Sequence, residues 1–158
     1  MLFRFRRKET PWEVVGMKRV DPVACYDEID DDDLDVLRIC DLNMRTTFSH
    51  EIGGVQDMRI VVHSARHQLM QSVVRHNYNV LLSEGWTITV FRRGKSYKAE
   101  VTYTGRPAYV MGSIKSRPPP PFMDVLELCK HDMDSAVLDV QKLSRKVRKT
   151  DRGVTVKG

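Results

Sequence analysis

The chain has 158 residues, 41% of them hydrophobic, and carries 26 Lys and Arg against 21 Asp and Glu for a formal net charge of +5. This is enough apolar mass for one domain with its own core, but no stretch approaches the roughly twenty apolar residues of a membrane span. Arg4, Arg6 and Arg7 interrupt the only apolar start, so no secretory signal is expected.

The charges are segregated along the chain. Arg4, Arg6, Arg7 and Lys8 interleave with Leu2, Phe3 and Phe5 at the front, Asp27 to Asp35 forms an acidic block, and Lys142, Arg145, Lys146, Arg148 and Lys149 crowd the end. Residues 1–35 are expected to be a flexible basic-then-acidic tail, because Pro11 and Pro22 interrupt any period and like charges repel when packed. A single α+β domain is expected over 36–150, followed by a short tail over 151–158.

Within the domain, Leu42, Met44, Thr46 and Phe48 alternate with polar residues and predict a strand over Leu42 to Phe48. Gly53 and Gly54 mark a turn, and the β-branched run Met58 to Val62 predicts a second strand. The period then changes. Leu69, Met70, Val73, Val74 and Leu81 recur at helical steps, predicting a helix over Ala65 to Ser83, with Ser64 as its N-cap and Gly85 as its stop. Trp86 to Phe91 and Tyr97 to Thr104 predict a hairpin whose turn is Arg92-Arg93-Gly94-Lys95, Gly94 supplying the positive φ. Trp86, Ile88 and Val90 should share a face with Tyr97, Ala99, Val101 and Tyr103. Ala108 to Ile114 predicts a further short strand. Pro118, Pro119, Pro120 and Pro121 form a stiff polyproline segment, readable as a spacer or as a docking peptide for aromatic grooves. Val125, Cys129, Met133 and Val140 then predict a second long helix from Met123 to Arg148. The fold class is therefore an antiparallel sheet of four to five strands packed against two helices.

No reaction chemistry is spelled out. There is no Gly-x-Ser-x-Gly, no phosphate loop and no dinucleotide-binding glycine pattern, and Asp and Glu cannot be paired into a dyad from spacing, so no catalytic residue, cofactor or small-molecule substrate is expected. His63 and His67 are four apart, but a zinc site needs at least three ligands and no Cys-x-x-Cys or Glu-x-x-His lies nearby, so no metal is expected. The acidic block has no glycine at which a calcium loop could turn. Cys25, Cys40 and Cys129 are odd in number and widely spaced, which favours a reducing compartment over a disulfide framework.

What remains is binding. Phe3, Arg4, Phe5, Arg6, Arg7 and Lys8 can place rings at a lipid headgroup boundary and guanidinium groups on anionic lipid, and the turn residues Arg92, Arg93 and Lys95 can add to the same attachment. The segment Lys142, Arg145, Lys146, Arg148 and Lys149 suits a nucleic acid or an acidic partner. Asp30, Asp31, Asp32 and Asp33 can pair with the cationic ends of a neighbouring copy in self-association.

A cationic-aromatic N-terminus, the acidic stretch Asp30 to Asp33 and a strand-rich α+β body together resemble the matrix proteins of negative-strand RNA viruses, nearest to the small rhabdovirus type. The resemblance implies a basic arm that meets membrane and nucleocapsid, and a body that self-associates to condense the ribonucleoprotein beneath the envelope. It places the protein in the virion and host cytoplasm, peripheral on the membrane. Arg4, Arg6, Arg7 and Lys8 are the residues onto which the family's arm carries over. Animal members often hold Pro-Pro-x-Tyr near the N-terminus; here Pro118 to Pro121 lie late in the chain and are followed by Phe122, so that budding motif does not carry over. The alternative is a small basic RNA-binding regulatory protein that uses the Lys142 to Lys149 surface and the cationic turn.

Overall fold

A computed structural model describes residues 9–26, 35–112, 114 and 117–135. They form a five-stranded antiparallel sheet with helices on one face. The strands are β1 (Glu13–Ala24), β2 (Asp35–Ile39), β3 (Met44–Ile52), β4 (Val80–Arg93) and β5 (Ser96–Met111), and helix α1 spans Val55–Arg75. A 3₁₀ turn at Met123–Val125 leads into a second helix, α2, described over 126–135.

The β4–β5 hairpin is the spine of the sheet. Trp86 lies opposite Tyr103, Ile88 opposite Val101 and Val90 opposite Ala99, and all six are buried, as the alternating pattern predicts. Beyond the predicted Thr104, β5 continues to Met111, so the separate strand expected at Ala108 is its extension. This length lets one edge of β5 hold β3 at residues 97–105 and β2 at residues 108–111. Between them Cys40 anchors the step, its N–H donating to the Pro107 carbonyl at 2.8 Å.

Two expectations are corrected here. Met58 to Val62 is not a strand: it lies inside α1, where Met58, Val61, Val62, Ala65, Leu69 and Val73 form the buried face. Burial of such a stripe, about 1.5–3 kcal/mol for each large apolar side chain, outweighs the small helix penalty of β-branched residues. The helix accordingly starts at Val55 rather than after Ser64, with the Asp57 carboxylate accepting from the Gly53 N–H at 2.6 Å. It ends at Arg75, where Asn77 takes φ +61°, so Val80 to Ser83 belong to β4.

The second correction concerns the expected tail. Residues 13–24 are strand β1, paired antiparallel with β4. Pro22 falls in a register shift between Val20 and Val23, where no ladder donor is required. Gly85 is not a helix stop but the contact point between these strands: a Cβ there would lie 2.6 Å from Pro22 N and 2.8 Å from Val20 O.

The helices close the core from one side. Leu126, Cys129 and Met133 of α2 join the cluster under α1, and Lys18 on β1 pairs with Asp132 at 3.2 Å while Arg59 on α1 pairs with Glu127 at 3.4 Å. The predicted helix from Met123 to Arg148 is thus present through 135. Its remainder, the segments 1–8 and 27–34, and the tail over 151–158 lie outside the described residues.

Candidate polyanion-binding surface at the hairpin end

Gly94, at φ +62°, and Lys95 form the two-residue turn between β4 and β5, with Arg93 opposite Ser96. Only the first of the two turn residues has positive φ, the II′ pattern whose twist suits a hairpin. Lys95 is exposed at the tip.

The register of β1 against β4 decides what surrounds this turn. Glu13 lies opposite Arg92 and Val14 opposite Phe91, so the chain enters the sheet beside the hairpin tip. Arg92 reaches Glu13 at 3.2 Å, and Arg93 lies 3.9 Å from the carboxylate of Glu9. Arg93 also sits 4.5 Å from the ring centre of Trp12, and the Lys98 ammonium lies 5.3 Å from Trp12 and 4.8 Å from Phe91. Glu51 on β3 is the cross-strand neighbour of Lys98. The end of the sheet therefore carries Arg92, Arg93, Lys95 and Lys98, with Arg93 and Lys98 against two aromatic rings and Glu9, Glu13 and Glu51 as local counter-charges. Trp12, Phe91 and Lys98 were not among the candidates from sequence; Phe91 and Lys98 face each other across the predicted hairpin, whereas Trp12 is found only through the pairing of β1 with β4.

Glu9 follows Lys8 in the sequence. Chain connectivity thus starts the basic segment Arg4, Arg6, Arg7 and Lys8 from the same end of the sheet as Arg92, Arg93 and Lys95, two groups more than eighty residues apart in sequence. Phe3 to Lys8, Asp30 to Asp33 and Lys142 to Lys149 themselves fall outside the described residues.

The proline run is seated on the sheet. Pro120 is buried, and the Trp86 indole N–H donates to the Pro121 carbonyl at 2.9 Å. Phe122 follows with φ +51° and an exposed ring. His63 and His67 line a shallow, open groove on α1 with Phe48 and Ile60, and among the described residues no three His, Cys, Asp or Glu side chains group to hold a metal.

A second polar cluster lies inside the fold. Glu84 is in phase with Trp86, Ile88 and Val90 and so points to the helix side, where it is 1% exposed. Arg66 of α1 donates to Glu84 Oε1 at 2.5 Å, and the Tyr103 hydroxyl donates to Oε2. Burial alone would lower the Arg66 guanidinium, but the hydrogen bond and charge of Glu84 outweigh it and raise it. Burial, then the nearby Glu84, raises the Tyr103 hydroxyl, and the same two causes push the Cys25 thiol up to about 12. A thiol held protonated is a poor nucleophile. The geometry is that of a pin joining α1 to the sheet.

Among the described residues no helix is long and apolar enough to cross a membrane. No protein-family model, curated protein or solved structure matches this chain.

Proposed function

We propose that this chain is a matrix-type structural protein of a negative-strand RNA virus, which attaches to an anionic membrane surface, binds ribonucleoprotein and self-associates during virion assembly. The observation that carries the reading is the convergence of cations and rings at the hairpin end, where Glu9 to Glu13, Phe91 and the cations Arg92, Arg93, Lys95 and Lys98 meet. Cations around half-buried aromatic rings suit the headgroup boundary, where the ring sits at the acyl edge and each nearby Lys or Arg contributes about 1 kcal/mol. In this reading the protein performs no reaction, takes no cofactor, and works peripherally in the host cytoplasm and the virion.

The same cation–ring pairs support the second reading, a small RNA-binding regulator in which Trp12 and Phe91 stack on bases. Flotation of the purified chain with phosphatidylserine vesicles at low and moderate salt, with excess single-stranded RNA as competitor, separates the two. Salt-sensitive flotation that survives the RNA is the expected result. Protein left at the bottom of the gradient on RNA overturns the membrane reading and favours the regulator.

A further inference from the structure

Three strands present an outer edge. β1 guards its edge with Lys18, Arg19 and Asp21 and with two register shifts, and β3 presents Arg45, Thr47, Ser49 and Glu51 to solvent. Charges and bulges of this kind are how sheets avoid pairing with other chains. β2 is bulged and charged as well, but its two charges, Asp35 and Arg38, are of opposite sign. All five of its residues are exposed, with Leu37 at 58%, and the adjoining Tyr109 and Met111 of β5 are exposed as well. Among the described residues it pairs with β5 alone and ends the sheet.

From this edge we infer that β2 is the self-association surface, pairing antiparallel with β2 of a second copy about a two-fold axis. The inference deepens the self-association in the proposed function and rests on that part of it. Charge supplies the argument for a second copy over another partner. β2 pairs Asp35 with Met111, Val36 with Val110, Arg38 with Tyr109 and Ile39 with Ala108, leaving Leu37 as the extra residue of a bulge. The bulge places Asp35 and Arg38 on one face of the strand, whereas residues three apart in a regular strand point to opposite faces. An antiparallel two-fold pair then sets Asp35 of each copy beside Arg38 of the other, twice, with Leu37 and Val36 between them. An isologous contact requires such self-complementarity. Arg38 also donates to the Asn77 carbonyl and lies 4.6 Å from the Tyr78 ring centre, contacts that its guanidinium must share with, or exchange for, Asp35 of the second copy.

Sedimentation equilibrium of the full chain at concentrations up to about 100 µM tests this, since a five-residue edge is a small interface expected to dimerise in the micromolar range. The wild type is expected to form dimers, and Leu37→Lys to weaken them at least about tenfold. Charge reversal guards against a variant that misfolds. Asp35→Arg alone and Arg38→Asp alone should each weaken the dimer, while an equimolar mixture of the two should form heterodimers, because both cross-copy contacts are then attractive. A monomeric wild type overturns the inference and the self-association with it. Dimers or larger assemblies that Leu37→Lys leaves intact, or a charge-reversed mixture no stronger than its components, overturn the β2 assignment while leaving self-association standing. Vesicle flotation of Leu37→Lys, unchanged if membrane attachment is separate, keeps the two questions apart.

Discussion

Replacing Glu84 by Gln should destabilise the fold more than any conservative surface change. The glutamine has the volume of the glutamate but no charge, and its NH₂ must face one of two donors, the Arg66 guanidinium or the Tyr103 hydroxyl. Removing one partner of a buried ion pair costs about 3–5 kcal/mol. The Arg66 side chain keeps 16% of its surface in solvent, which lets water relieve part of the loss and sets the expectation at the lower end, about 3 kcal/mol. Tyr103→Phe, which deletes one bond to a charged acceptor, should cost about 1.5–3 kcal/mol. A domain of this kind is usually stable by about 5–15 kcal/mol, so either loss is a substantial fraction of the whole. Urea unfolding followed by the fluorescence of buried Trp86 reads it as a shift in midpoint at unchanged slope. The double variant Arg66→Met, Glu84→Gln should be more stable than the sum of its singles by about 2 kcal/mol, because no guanidinium is then stranded. A Glu84→Gln cost below about 1 kcal/mol, or strict additivity in the double variant, would refute the pin.

Alkali should loosen the fold through its buried thiols and Tyr103. Burial pushes Cys25 to about 12 and Cys129 to about 11 from an ordinary 9.0. Below 9.0 both states keep the proton and nothing changes; above it the unfolded chain alone releases it, so stability falls with rising pH through the folded values. The urea midpoint should decline from pH 9 towards about 11, and Cys129→Ala should flatten part of that decline; a level midpoint in the wild type would contradict the burial argument. At Gly85, alanine drives a Cβ into the backbone of Val20 to Pro22. It should cost about 1–3 kcal/mol and raise amide exchange in Glu13–Ala24 ahead of the rest of the sheet, whereas uniform exchange would mean that β1 is held elsewhere.

The hairpin was legible because three local signals agree there: strict alternation, β-rich composition and a glycine at the turn. The strand β1 was not, since its proline and its charges are tolerated only at a bulged edge that exists once β4 is alongside. Met58 to Val62 misled for a related reason, as a β-branched run reads as strand until the stripe from Met58 to Val73 is seen as one face. Glu84 was readable in principle. An acid in phase with Trp86, Ile88 and Val90 must be buried if those residues are, but placing the end of the helix at Gly85 hid that phase. Of the candidate surface, Arg92, Arg93 and Lys95 were legible as the cationic turn of the predicted hairpin. That they lie beside Glu9, Trp12 and Glu13 depends on pairing between residues some eighty positions apart, which no local pattern carries.

The central claim is that the hairpin end and the basic N-terminal residues act as one anionic-surface site. Flotation with phosphatidylserine vesicles should therefore be compared for Arg93→Gln, Lys95→Gln, Lys98→Gln in one variant, Arg4→Gln, Arg6→Gln, Arg7→Gln, Lys8→Gln in a second, and all seven together, after circular dichroism shows each folded. At about 1 kcal/mol per cation, the three-residue set should weaken partitioning on the order of 100-fold, the four-residue set on the order of 1,000-fold, and the combination should abolish it. Full flotation of the hairpin variant at moderate salt would contradict the claim, since the membrane would then be held without the surface that the fold assembles.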